Sequence, residues 1–216
     1  SGGTDDTDFT LFNAYMLITY GVGITPENVE AEWRDKLLSG EHYYRPGGFS
    51  DVLATNNLRE GLHAPESGAF NHQMWSDGVA MSISAAGIAQ TGNPEAAADL
   101  ADTLGVVSNG RDGIYTARAV AAAISVAMVG ADPRAMVDAA VAAVPRESWT
   151  YRAMEVAREI AGTGLPMDEL TAEIDRRLIV PWWPWADLAT EAVPAAFAFF
   201  GAYGHDFARV VPASIA

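Results

Sequence analysis

The sequence predicts an all-α fold, on three observations. Strand signals are nearly absent: Ala is very frequent, and Val and Ile recur at helical rather than alternating spacing. Cap-and-proline pairs punctuate the chain, with Thr25-Pro26, Asn93-Pro94 and Asp132-Pro133 each placing an N-cap residue before a proline at the first helical position. Half of the 216 residues are hydrophobic, yet the longest apolar stretches are Ala-rich and broken by Gly or Pro. Such helices are suited to packing on one another, not to crossing a membrane. No linker divides the chain, so residues 1–216 are read as one compact domain of many helices.

Residues 8–20 read as a helix, with Phe9, Phe12, Tyr15, Met16 and Thr19 on one stripe, and Gly21 and Gly23 stop it. Thr25-Pro26-Glu27 opens a second helix, to about Leu38. Residues 39–54 are loop-like, as are 61–73 with Gly61, Pro65, Gly68 and Asn71; 55–60 makes one short helix between them. Long irregular stretches in a helical protein are often functional. Residues 74–90 read as a single helix rich in Ala, Ser and Gly, which permits close helix–helix approach. Asn93-Pro94-Glu95 starts a helix to about Val107, a turn covers 108–113, and 114–129 is helical and nearly all small or apolar. Asp132-Pro133 caps another helix, to Val144. Ser148 starts one reaching Ala161, with Arg152, Glu155, Arg158 and Glu159 at i, i+3/i+4 spacings. Residues 167–178 follow. Residues 179–185 (Ile-Val-Pro-Trp-Trp-Pro-Trp) form an aromatic loop whose rings stack on a ring-bearing ligand or pin the loop to the core. Residues 190–203 make the last full helix, with Pro194 tolerable in its first turns, and Asp206 caps a final segment containing Pro212.

Composition excludes several classes. There is no cysteine, so disulfides, zinc–thiolate sites, iron–sulfur clusters and thiol nucleophiles are absent. Net charge is −15 with no Lys/Arg stripe, which makes nucleic-acid backbones and anionic membrane surfaces poor partners. No basic-then-apolar leader is visible, and a cytoplasmic location is expected. The four histidines, at 42, 63, 72 and 205, show no ligand spacing; His63 and His72 lie in the loop-like stretch before the 74–90 helix.

The densest chemistry is at the start. Thr4, Asp5, Asp6 and Asp8 put a hydroxyl and three carboxylates on five consecutive positions. Like charges repel, so the cluster is costly without something positive beside it. Hard oxygen ligands on a short turn suit Mg²⁺ or Ca²⁺. The same residues equally suit an acidic N-cap, satisfying free N–H groups and the helix dipole. Both readings stay open from these residues alone.

Four stretches, in order, resemble the ADP-ribosylglycohydrolase superfamily. Thr4-Asp5-Asp6-Thr7 is similar to the family's Thr-Asp-Asp-Thr metal motif opening a helix. Asp77-Gly78-Val79-Ala80-Met81-Ser82 stands where the family has Asn-Gly-x-x-Met-Arg. Gly92-Asn93-Pro94-Glu95, then Ser108-Asn109-Gly110 and Gly113-Ile114-Tyr115, resembles its Gly-Asn-Pro-Glu, Ser/Thr-His and Gly-Ile-Tyr run. Residues 192–196 with Asp206-Phe207 resemble the helix before its second metal motif.

The resemblance implies an all-α enzyme of that orthogonal multi-helix type. It would hydrolyse a glycosidic bond at a ribose anomeric carbon of an ADP-ribosyl or nucleoside-like substrate, with a pair of Mg²⁺ ions (Ca²⁺ or Mn²⁺ as substitutes). It implies Thr4, Asp5 and Asp6 as metal ligands, with Asp5 and Asp6 catalytic through the metal and Asp8 supporting them. It implies Asp77, Gly78, Met81, Ser82, Asn109 and Tyr115 around the substrate. Two departures stand out: the family's substrate-contacting Arg is Ser82 here, and its His is Asn109. Losing a cation and an imidazole argues against the usual grip on a diphosphate. The family also carries an acidic residue before its first motif and Gly-x-Asp-x-Asp-Thr after the last helix. The expectation is therefore a metal half-site, completed by residues outside this sequence or by a second polypeptide segment. The alternative is a catalytically inactive helical binding protein.

Overall fold

The computed structural model describes residues 4–39, 48–183, 185 and 187–215. Thirteen α-helices follow one another among them: α1 (Asp5–Tyr20), α2 (Pro26–Trp33), α3 (Phe49–Arg59), α4 (Glu66–Ala69), α5 (Gly78–Ser82), α6 (Ser84–Ala89), α7 (Pro94–Gly105), α8 (Asp112–Ala127), α9 (Pro133–Ala142), α10 (Trp149–Ala161), α11 (Met167–Leu178), α12 (Ala189–Tyr203) and α13 (Phe207–Ile215). The expected all-α class holds: the one β feature among the described residues is an isolated antiparallel bridge between Ser76 and Leu188. A five-residue π-helical turn, Arg34–Leu38, extends α2 close to the expected end.

Local sequence set most of the boundaries. The Thr25 hydroxyl accepts from Asn28 N, and the Asn28 side chain returns to Thr25 N, closing a capping box. Asn93, Asp132 and Ser148 cap α7, α9 and α10 by the single bond, each side chain accepting from the backbone N–H three residues on. The charges on α10 find partners at its own surface and on its neighbours: Arg158 reaches Glu155 and Asp138, and Glu159 reaches Arg177 of α11. Such exposed pairs contribute little each.

The core is one hydrophobic cluster from Phe9 of α1 to Val210 of α13. α8 runs through its middle, packed by α5, α6, α7, α9, α10 and α12. It can be surrounded because its buried positions are small: Gly113, Thr116, Ala117, Ala119, Ala121, Ala122, Ala123 and Ser125. Gly87 of α6 shows how close the approach is. A Cβ there would lie 2.6 Å from Ile124 Cβ and 2.7 Å from the Ala121 carbonyl oxygen, so a larger residue would force α6 off α8.

Three expectations need correction. Helix α3 begins at Phe49, not at residue 55, and occupies the last part of the stretch read as loop; residues 40–47 of that stretch, including His42, lie outside the described residues. Residues 74–90 are not one helix. They form an irregular lead-in, then α5 and α6 with a break at Ile83. The lead-in is held away from helical geometry because its backbone bonds elsewhere: Ala189 N donates to Trp75 O at 3.1 Å, and Asp77 N donates to Asp187 O at 3.0 Å. α1 begins at Asp5, one turn earlier than its apolar stripe.

Candidate functional site

The first turn of α1 carries the acidic cluster. Thr4 has extended backbone angles and stands at the N-cap, yet its hydroxyl caps no backbone N–H; its nearest polar partner is the Thr7 hydroxyl at 3.5 Å. The simple capping reading therefore has no hydrogen bond to support it. Asp5 is half-buried and Asp6 exposed. α1 is set against α5 by Asn13, a buried amide that donates to Ser82 O at 3.0 Å and to Ser82 Oγ at 3.1 Å.

That docking brings the α1 start to Asp77, immediately before α5. Burial pushes the Asp77 carboxyl up to about 6, and the charges of Asp187, Asp6 and Asp5 push in the same direction. A fifth carboxylate joins from the first turn of α3. Asp51 is buried, and burial with the charges of Asp5 and Asp77 raises it to about 7 against a lowering hydrogen bond from the Gly48 backbone. Its Oδ2 is buried with no hydrogen-bond partner. Five aspartates from four separate segments thus act on one another here. Among the described residues, none of the ion pairs includes any of them.

The floor is a hydrogen-bonded seam. Ser76 Oγ and Ser50 Oγ lie 2.8 Å apart, tying the α5 lead-in to α3. Asn71 donates to Ser50 O at 2.7 Å and to Ser108 O at 2.8 Å. Asn109, 1 % exposed, donates to Met74 O and Ser76 O and accepts from the Ser108 hydroxyl. Gly113 lets α8 pass beneath: a Cβ there would lie 2.1 Å from Met74 O. Gly78 serves the same purpose above, where a Cβ would meet Ser50 Oγ at 2.9 Å.

The expected site residues separate into two groups. Asp5, Asp6, Asp77 and Gly78 come together with Asp51. Ser82 and Asn109 lie under that group, and their polar atoms are engaged within the fold: Ser82 Oγ accepts from Asn13 and is within bonding distance of Gly78 O and Val79 O at 3.1 Å. In this geometry both are parts of the scaffold. Met81 and Tyr115 are half-buried and pack against the hydrophobic core.

Sequence reasoning missed Asp51 and Asp187. The Ser50-Asp51 pair falls in a stretch read as loop, and only the length of that irregular stretch hinted at it. Asp187 sits two residues beyond the aromatic loop, where the pinning reading holds for Trp183. Trp183 pins the loop, its ring 5.4 Å from that of Trp75 and its Nε1 donating to Asp187 Oδ1 at 3.0 Å. Trp182 and Trp185 are exposed, and Trp185 stands edge-on to Phe49 at 5.8 Å. His63 is engaged elsewhere, its Nδ1 2.7 Å from Glu30 Oε1.

Comparison with known families closes the question of kinship, because a match runs over residues 2–216, nearly the whole chain. The chain belongs to the ADP-ribosylglycohydrolase family. Membership agrees with the all-α fold and supports a glycohydrolase function. Curated proteins and solved structures gave no match. No helix among the described residues is long and apolar enough to cross a membrane.

Mg²⁺ is the cation that the family implies. No three acidic or histidine side chains among the described residues are grouped as a ready cage. Mg²⁺ seldom needs one, since it keeps several waters and binds through one or two carboxylates. Concentrated negative charge, an orphaned buried carboxylate oxygen and all-oxygen donors fit such a hydrated cation.

Proposed function

We propose that this chain hydrolyses a glycosidic bond at a ribose anomeric carbon, with Thr4, Asp5 and Asp6 holding Mg²⁺. One observation carries the reading: five aspartates meet without a basic partner among the described residues. Such an arrangement disfavours folding by itself and is relieved by a cation. When bound, the metal would hold the ribose hydroxyls and orient and acidify the attacking water, while positive charge developing at the anomeric carbon would be balanced by the carboxylates. Mn²⁺ or Ca²⁺ would occupy the same oxygens less selectively.

The chain's own residues supply the rest. Asp77, raised to about 6, holds or yields a proton near neutral pH, where an ordinary carboxyl would be fully ionised. Gly78 keeps backbone beside Asp77 open where a side chain would meet Ser50. Phe49 and Trp185, both exposed, offer ring faces and edges to a planar group.

The substrate reading favours a nucleoside-like glycoside over an ADP-ribosyl diphosphate. The family's arginine position is Ser82, tied to Asn13, and its histidine position is Asn109, tied to residues 74 and 76. Neither offers a cation to a phosphate. The test is product analysis. The full chain with Mg²⁺ is incubated with a panel of ribonucleosides, ADP-ribose conjugates and ADP-ribosylated peptide, and released ribose or base is quantified. Mg²⁺-dependent release from any member supports the reading, with nucleosides expected first. Absence of release across the panel favours the catalytically inactive helical binding protein instead, for which the inward-tied Ser82 and Asn109 are the supporting observation.

A further inference from the structure

We propose that the Asp51 carboxylate, acting with Asp5, is a ligand of the divalent cation, so that the start of α3 contributes to the metal site. The inference rests on the hydrolase reading above and adds a residue to its metal site.

The first argument is the state of Asp51 itself. It is only 3 % exposed, and Oδ2 has neither solvent nor a hydrogen-bond donor. A buried carboxylate oxygen left alone costs free energy that evolution of a fold normally removes, by a donor, a cation or an apolar substitute. No donor faces Oδ2. A cation remains, and the surrounding negative charges draw one in.

The second argument is position. A Cβ built on Gly48 would lie 3.1 Å from Asp51 Oδ2 and 4.0 Å from Asp5 Oδ2. The two carboxylate oxygens therefore flank the same point, and that point is free of a side chain because residue 48 is glycine. Gly48 has φ −84°, a conformation open to any residue, so glycine is not needed there for backbone reasons.

The third argument is how Asp51 is held. Its main-chain oxygen accepts from the Thr55 hydroxyl at 2.7 Å, its neighbour Ser50 is bonded to Ser76, and Ser50 O accepts from Asn71. The first turn of α3 is thus fixed to the segment leading to Asp77. A ligand built on such a seam is pre-positioned, which is what a cation site needs. Two carboxylates match the number through which Mg²⁺ commonly binds a protein.

The test uses Mn²⁺ as an EPR-visible probe on the full chain, with titrations of wild type, Asp51→Asn and Gly48→Ala, and circular dichroism to confirm folding. Wild type is expected to bind Mn²⁺ and to melt at higher temperature with it. Asp51→Asn is expected to lose on the order of tenfold to a hundredfold in Mn²⁺ affinity and to lose the thermal shift. Gly48→Ala, which keeps every carboxylate, is expected to weaken Mn²⁺ severalfold by crowding Asp51 Oδ2, and it carries the test if Asp51→Asn does not fold. Wild-type affinity in either folded variant overturns the role of Asp51 and leaves the hydrolase reading standing. Absence of Mn²⁺ binding by wild type itself overturns both.

Discussion

Replacing Asp51 by Asn in metal-free protein should change how stability depends on pH. Asp51 is held at about 7, roughly three pH units above its ordinary value of 3.8. One pH unit corresponds to about 1.4 kcal/mol, so keeping this group ionised in the folded state costs up to about 4 kcal/mol above pH 7. The folded carboxyl binds its proton more tightly than the unfolded one. The group therefore takes nothing from stability below 3.8, lowers it progressively as pH rises from 3.8 to about 7, and leaves it constant above. Asn has no such dependence. Its buried amide adds a penalty of about 1–3 kcal/mol where unpaired, but that penalty is the same at all pH values. The stability difference, variant minus wild type, should thus shift toward the variant by about 3 kcal/mol between pH 5 and pH 8. Because Asp51 and Asp77 repel one another, the shift belongs to the pair. Urea unfolding followed by far-UV circular dichroism, in EDTA at both pH values, measures it. A difference equal at the two pH values would refute the picture of a strained, buried carboxylate.

Other consequences are sharper on the fold. Gly113→Ala would drive a methyl group into Met74 O and should cost at least about 3 kcal/mol or abolish folding, read by the urea midpoint. Asn71→Ala removes both bonds that join Ser50 to Ser108 and should cost about 2–3 kcal/mol while also weakening Mn²⁺ binding, since α3 loses its tether. Saturating Mg²⁺, at about a hundredfold above Kd, should stabilise wild type by about 2.7 kcal/mol in a reversible melt. EDTA should reverse that gain, and Asp5→Asn with Asp6→Asn should eliminate it.

How much of this was legible in the sequence differs by element. α11 appears at its expected bounds, and α7, α9 and α10 at their expected starts, because their signals are contained in one turn: Asn93, Asp132 and Ser148 each bond a backbone N–H three residues on. The 74–90 stretch failed for the opposite reason. Its small residues suit a helix, but the backbone at Trp75 and Asp77 is engaged by residues 187–189, which no local reading weighs. In the site, Asp5, Asp6 and Asp77 could be named because they lie in recognisable motifs. Asp51 could not, since its importance depends on burial and on charges brought from α1 and α5.

Helical class, most caps and the kinship of the chain follow from sequence alone, because period, capping and motif order are properties of neighbouring residues. Tertiary structure decided what the motif residues do. It turned Ser82 and Asn109 inward, where buried amides and hydroxyls must be paired, and so made them scaffold. It also carried Asp51 beside the first turn of α1. Bringing distant carboxylates together is a matter of long-range packing, and only the folded chain specifies which charges share a site and which oxygen is left without a partner.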